Sequence, residues 1–370
     1  MRIFDTFLFD GELDLLEHRL RETYDLVDVF VPVEAAQTFR GTPKALTFRD
    51  NRERFAWAAA KLRPVTLNNL GSATWTPWQR QALQRNAIVL GLRDAAPDDV
   101  VLILDVDEVV SPALLQRLRD EDFSGPRRLA MTRHYEYLDM IGPRSPCCPL
   151  PEAPFAFDLS RQRPQGWETL APQWFEHSGV VAHFRDLAGD AAKGIAATSA
   201  YEMRRQMLRA ERLPGGGRHF SAVDPAARLE SKLGRVSHTE HGDVRGLNAD
   251  HLRRARRHGV HHHGWWYAER PDGALPGDLD RLAARFPQMR RAQPLPPMFL
   301  RRLVRSWAWL RFARWLPDGL VAAVDRHFEA LLPLLALPLL AADGVRWLGG
   351  KRNWRWLRLA SGDTSGHRHG

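Results

Sequence analysis

Along the first hundred residues, short runs with strand-like hydrophobic patterns trade places with stretches whose apolar positions recur at helical spacing. Residues 3–9 alternate and are rich in aromatics, which predicts a strand. Residues 12–24 carry Leu13, Leu16 and Leu20 with charges between them, the pattern of an amphipathic helix. Residues 26–34 return to strand and end in Glu34, and a loop over 35–44 holds Thr38, Gly41 and Pro43. A helix over 51–61, a short strand over 62–67 and a helix over 78–93 follow. The unbroken apolar run Val100-Val101-Leu102-Ile103-Leu104 then predicts a strand buried on both faces. It stops abruptly in Asp105, Asp107 and Glu108, after which Ser111-Pro112 reads as an N-cap and first helical residue. The strand-helix alternation predicts a Rossmann-like α/β sheet.

Beyond this half the pattern changes. Residues 127–138 read as a strand, 143–176 are proline-rich and irregular, and 180–184 form another short strand. A helix over 198–212 is expected to stop at Pro214-Gly215-Gly216-Gly217, with a further helix over 225–233. The periodicity loosens after residue 245. The reading divides the chain into a main domain over 1–245, an irregular connector over 246–298 and a helical extension over 299–370. That extension holds six of the chain's 13 tryptophans, interleaved with arginine. Such a composition suits either a helix lying in a membrane interface or an arginine-rich helical hairpin closing a core. The apolar stretch 331–340 is broken by Pro333 and Pro338 and is too short to span a bilayer.

Charge refines this division. The net charge is +9, and residues 290–370 supply all of it, so the first 289 residues sum to zero. Only five of the 53 basic residues are lysine, which points to a genomic preference for arginine rather than a phosphate-gripping surface. Nucleic-acid binding is not expected of a neutral main domain. It survives only as a role of the tail, one that a steep salt dependence would reveal. The two cysteines, Cys147 and Cys148, are adjacent and build no disulfide framework, which favours a reducing compartment. No basic n-region with an apolar core opens the sequence, so no leader or N-terminal anchor is expected.

The candidate chemistry sits at the end of the central strand. In open α/β sheets ligands bind outside the carboxyl ends of the strands. If the chain stays extended there, Asp105 and Asp107 point the same way and can share one hard divalent cation. The competing reading is an acidic corner with solvated charges. His261-His262-His263, near His251 and His258, reads as an exposed basic loop rather than a metal tract.

The sequence also resembles glycosyltransferase family 17, the family of β-1,4-mannosyl-glycoprotein 4-β-N-acetylglucosaminyltransferases. The resemblance runs through Phe4-Asp5-Thr6-Phe7-Leu8-Phe9-Asp10-Gly11-Glu12, Arg19-Leu20, Val33-Glu34-Ala35, Pro43-Lys44, Arg85-Asn86-Ala87-Ile88 and Asp105-Val106-Asp107-Glu108. Later blocks are Gly217-Arg218-His219-Phe220-Ser221, Lys232-Leu233 and Ser237-His238-Thr239-Glu240. Two departures stand out. Family members commonly place Ile-Pro after the acidic triplet, where this chain has Val109-Val110, and Trp where it has Arg218. Residues 245–370 lie outside the resembling blocks.

The resemblance implies a GT-A-like nucleotide-sugar transferase domain that moves N-acetylglucosamine from UDP-GlcNAc to a glycan acceptor with inversion. It assigns a divalent cation, Mn²⁺ or Mg²⁺, to the DxD residues Asp105 and Asp107, with His238 as a further ligand. Glu240 and Glu108 compete for the catalytic base. Glu34, Arg85, Asn86, His219, Ser221 and Lys232 are expected on the substrate side; a capping role for Glu34 and a solvated helix face for Arg85 remain open beside these. The acceptor is a glycan, a surface polysaccharide or a lipid-linked glycan. The expected location is the cytoplasm, with 299–370 docking at the inner face of the membrane or on a partner. A catalytically silent carbohydrate- or membrane-surface-binding protein on the same scaffold is the alternative.

Overall fold

The computed structural model describes residues 1–141, 179–189, 197–206, 212–223, 249–261, 275–291, 294–296, 298–310, 316–328 and 330–331. These fall into two compact units. The first comprises 1–144, 173–241 and 271–290, and the second 145–172, 242–270 and 291–370.

In the first unit β1 (Ile3–Phe9), α1 (Leu13–Thr23) and β2 (Val29–Ala35) lead into the short α2 (Thr47–Asp50). Strand β3 (Val65–Leu67) and α3 (Pro77–Asn86) precede the central β4 (Val100–Asp105), the three-residue β5 (Glu108–Val110) and α4 (Pro112–Asp120). A hairpin of β6 (Arg127–Tyr135) and β7 (Tyr137–Ile141) follows, then β8 (Val180–His183), α5 (Phe184–Ala188), α6 (Ala200–Gln206) and β9 (Arg212–Ser221). The second unit contributes α7 (Ala249–His258); α8 (Gly277–Arg285) returns to the first, and α9 (Met298–Leu310) belongs to the second.

The described strands make one nine-stranded mixed sheet in the order β3-β2-β1-β4-β8-β6-β9-β5, with β7 on β6. The β3-β2-β1-β4 half is parallel throughout. Its strands therefore end along one edge, where the loops after Phe9, Ala35, Leu67 and Asp105 gather. Beyond β4 the pairing turns antiparallel through β8. The expected continuous burial holds: Val100 to Leu104 are all fully buried. Alternate residues feed two faces. Leu102 and Leu104 pack with Leu13, Leu16 and Leu20 of α1 and Leu114, Leu115 and Leu118 of α4. Val101 and Ile103 pack with Ile88, Leu92, Ala200 and Met203. Burying each such side chain contributes roughly 1.5–3 kcal/mol, so helices cover both faces of the sheet. Ser111 caps α4 by accepting from the Leu114 N–H, and Pro112 opens it, as the sequence predicts.

Two expectations are corrected. The helix over 198–212 occupies only 200–206 of the described residues, and Arg212 already lies in β9. The Pro214–Gly217 run does not end a helix but lies inside that strand. Gly216 and Gly217 are needed because β9 is pressed against its neighbours there: a Cβ on Gly217 would lie 2.1 Å from the Val109 carbonyl oxygen, and Gly217 has φ +124°. A register shift between Leu129 and Met131 of β6 absorbs the irregularity.

Two buried histidines make this unit acid-sensitive. His18 of α1 meets the Phe220 ring edge-on at 5.7 Å, and His134 stacks on it at 5.5 Å. Burial pushes both down to about 4; for His134 the neighbouring Arg218 guanidinium adds to the effect. His134 donates from Nδ1 to the Leu138 carbonyl, which leaves Nε2 to accept from Arg218. Because the folded values lie below the ordinary 6.5, this stability is complete above pH 6.5 and is lost as pH falls toward 4. Urea midpoints should drop over that window, with each histidine accounting for on the order of 2–3 kcal/mol. His18→Phe should flatten the slope; an unchanged slope in that variant would contradict the assignment.

In the second unit, Val260, Val304 and Phe328 form a small core. Arg254 donates to the Asp325 carboxylate at 3.1 Å, and Trp307 Nε1 donates to the same oxygen at 2.8 Å. Arg291 and Arg301 cap α7 by donating to the carbonyls of Arg256, Arg257, His258 and Gly259. Among the described residues no helix is long and apolar enough to cross a membrane. The stretch 332–370, with Trp347, Trp354 and Trp356, lies outside the described residues, as do Cys147, Cys148, His262 and His263.

Candidate active site

The acidic residues after β4 do not continue an extended strand. The chain leaves β4 at Asp105, turns through Val106-Asp107 and re-enters extended structure at Glu108. Glu108 causes the turn, because its carboxylate accepts the Asp105 backbone N–H at 2.8 Å. The Val106 N–H is fixed to the Leu8 carbonyl and the Asp107 carbonyl to the Phe220 N–H, so β1 and β9 hold the turn on either side. The expectation that the chain stays extended through Asp105 and Asp107 therefore fails.

Asp105 sits between two guanidiniums. Arg85 of α3 donates to Oδ1 at 2.7 Å, and Arg204 of α6 donates to Oδ2 at 2.9 Å. Burial opposes ionisation of Asp105, but Arg204 and Arg85 outweigh it and hold the carboxyl well below the usual carboxylate range. Its side chain is still 35% exposed. Glu108 is wholly buried and takes Arg204 in a bidentate pair, with both N–O distances 2.7 Å. Asp107 lies beside His219. Its Oδ1 lies 3.9 Å from Nε2 of His219, which pairs with Glu108 across β5–β9 and with Arg133 across β6–β9. Burial lowers the His219 imidazole, partly offset by Asp107.

Beneath the turn lies a second buried ion pair. Arg19 of α1 and Asp5 of β1 are almost completely inaccessible. The guanidinium binds both Asp5 oxygens through Nε and Nη2, while Nη1 donates to the carbonyls of Asp105, Val106 and Glu108.

The remaining expected site residues take varied positions. Three consecutive residues of α3 reach three elements: Gln84 donates to the Val33 carbonyl, Arg85 reaches Asp105, and Asn86 accepts the Tyr201 N–H at the start of α6. Glu34 accepts the backbone N–H groups of Phe48 and Arg49, a cap on α2, and burial raises its carboxyl. Lys44 forms an ion pair with Asp10 at the same sheet edge. Ser221, half-buried, ends β9 next to Tyr135. Lys232, His238 and Glu240 lie outside the described residues. Both departures from the family pattern have structural partners: Val109 and Val110 are buried on β9, and Arg218 binds the Asp278 carboxylate and His134. Sequence reasoning missed Arg204. The available signal was a charge on an apolar stripe, since Arg204 follows Ala200 by four residues and Met203 by one, both buried.

Among the described residues no group of three or more His, Cys, Asp and Glu side chains is arranged to hold a metal. Asp107 with His219 nonetheless offers one carboxylate and one imidazole, a donor pair that suits a divalent cation whose other ligands come from substrate oxygens. Asp105 fits less well as a direct ligand, because each of its oxygens already accepts from an arginine.

Residues 1–138 match glycosyltransferase family 17. The rat (Rattus norvegicus) β-1,4-mannosyl-glycoprotein 4-β-N-acetylglucosaminyltransferase is 31% identical over 115 residues, covering 29% of this chain. The match spans 21% of that enzyme's length. The matched family region holds Asp5, Arg19, Arg85 and the whole acidic turn, and ends before Arg204, His219 and Arg218.

Proposed function

We propose that this chain, whose first 138 residues carry the sequence of glycosyltransferase family 17, is an inverting GT-A-like glycosyltransferase using UDP-GlcNAc as donor and a glycan as acceptor. The observation that carries the proposal is the acidic turn at the end of β4. It lies on the edge where all four parallel strands end, the usual place for a nucleotide in such sheets.

In the transfer, an acceptor hydroxyl attacks the anomeric carbon, the bond from that carbon to the diphosphate oxygen breaks, and UDP departs. Asp107 and His219 would hold a Mn²⁺ or Mg²⁺ ion, which when bound offsets the charge on the departing diphosphate. Arg85 and Arg204 keep Asp105 ionised and fixed, and the Asp10–Lys44 pair shapes the neighbouring edge. The acceptor's proton needs a carboxylate. Glu108 is wholly buried and bound to Arg204, so Glu240 is taken as the base, with His238 as the further metal ligand and Ser221 and Lys232 as substrate-binding residues, as the family resemblance implies. A surface polysaccharide or a lipid-linked glycan is the acceptor in a cell without N-glycans. The basic extension, with 12 Arg and Lys against 5 Asp and Glu over 299–370, would bring the enzyme to the cytoplasmic face of an anionic membrane.

One observation favours a second reading. Asp105 and Glu108 are both ion-paired internally, which also suits a protein that binds a nucleotide sugar without turning it over. A panel of UDP- and GDP-sugars, assayed with Mn²⁺, Mg²⁺ or chelator and with glycan acceptors, separates the two. The transferase reading expects metal-dependent UDP release from UDP-GlcNAc. Saturable binding with no release from any donor would establish the binding protein instead.

A further inference from the structure

Three acids within four residues form an unstable arrangement unless something compensates them. Asp105, Asp107 and Glu108 put three carboxylates on one turn, and Glu108 is completely buried. An unpaired carboxylate there would be strongly disfavoured. Arg19 neutralises Asp5 and otherwise donates only to backbone carbonyls of the turn. Arg85 reaches only Asp105 among the three. Arg204 alone of these arginines binds two of the carboxylates. It spans Oδ2 of Asp105 and both oxygens of Glu108, and it also donates to the Ile103 carbonyl at 3.1 Å. Its fixed planar fork makes this possible, where a lysine ammonium could not span both acids with the same geometry.

We infer that Arg204 is a positioning residue for the acidic turn: it locks Asp105 and Glu108 together against the end of β4. The inference deepens the transferase reading and rests on it for its kinetic consequence. Arg204 lies outside the matched family region, on a helix held by the burial of Ala200 and Met203 and by the Asn86 cap. The turn and the group that sets its shape therefore come from distant parts of the chain. Arg19 grips the backbone of the turn while Arg204 grips its side chains. With Arg19 alone, the carbonyls stay fixed but the Asp105 N–H loses a firmly held acceptor, because the Glu108 carboxylate is no longer tied in place.

The test uses the full-length chain and two readouts, on Arg204→Gln and Arg204→Lys. Hydrogen exchange across residues 104–109 should accelerate at least tenfold in Arg204→Gln, with the protection of β1 and β2 unchanged. Donor turnover should lose at least 100-fold in kcat while the donor KM stays within threefold, and Arg204→Lys should recover part of both effects. A purely structural role predicts something different: protection falling throughout the unit, and kcat falling only with the folded fraction. That result, or wild-type exchange at 104–109, would overturn the inference. If the wild-type chain turns over no donor, the transferase reading fails by itself, and the exchange measurement still decides whether Arg204 fixes the turn.

Discussion

Asp107→Asn is expected to abolish sugar transfer while leaving the fold intact. The side chain is mostly buried, and its Oδ1 lies 3.9 Å from His219 Nε2. On the proposed function, the amide keeps an oxygen but loses the negative charge that would hold the cation offsetting the departing diphosphate. A loss of about 10³-fold in kcat, roughly 4 kcal/mol of transition-state stabilisation, is the expected scale. Asp105→Asn should act differently. It leaves two guanidiniums facing one remaining acid, so it should perturb stability as well as turnover. The discriminating measurement is kcat together with a denaturation midpoint for both variants. An Asp107→Asn protein with full activity would remove this residue from the reaction.

Arg19→Met should be the most destabilising single change in the first unit. It strands Asp5 as a buried, unpaired carboxylate and leaves three turn carbonyls without their shared donor. Breaking one partner of a buried pair costs about 3–5 kcal/mol, a large share of an ordinary domain's 5–15 kcal/mol. Pairing it with Asp5→Asn should recover part of that loss, because the stranded charge is gone while the carbonyls remain unsatisfied. Equilibrium urea unfolding of the two single variants and the double variant checks this. Strict additivity would show that Arg19 and Asp5 are not energetically coupled.

The parallel half of the sheet was legible because its elements obey simple periodicities. The continuous apolar run of β4, the Leu13-Leu16-Leu20 stripe of α1 and the Ser111-Pro112 helix start all appear where patterning places them. The acidic turn was legible as a cluster of carboxylates at a strand end but not in its geometry. A two-residue period puts Asp105 and Asp107 on one side only if the backbone stays extended, and the Glu108 carboxylate folds it by capturing the Asp105 N–H. The Pro214–Gly217 run misled for a related reason. Its composition is that of a helix stop, whereas Gly216 and Gly217 serve close approaches to Ala130 and Val109 that only tertiary packing reveals. Arg204 was invisible to motif reasoning because its partners lie nearly a hundred residues away. A lone arginine on a short apolar stripe becomes informative once those partners are known. Glu34 satisfies backbone N–H groups at the start of α2, the capping role the sequence left open for it, and Asn86 does the same at the start of α6.

The most direct test of the central claim is an equilibrium titration of UDP-GlcNAc into the wild-type chain and into Asp107→Asn, each with Mn²⁺ and with chelator. The account predicts saturable binding by the wild type that weakens at least tenfold without the cation, and a variant whose affinity no longer responds to it. Absence of binding by the wild type to UDP-GlcNAc, UDP or any other nucleotide sugar, with the protein folded, would contradict a donor site at the end of β4.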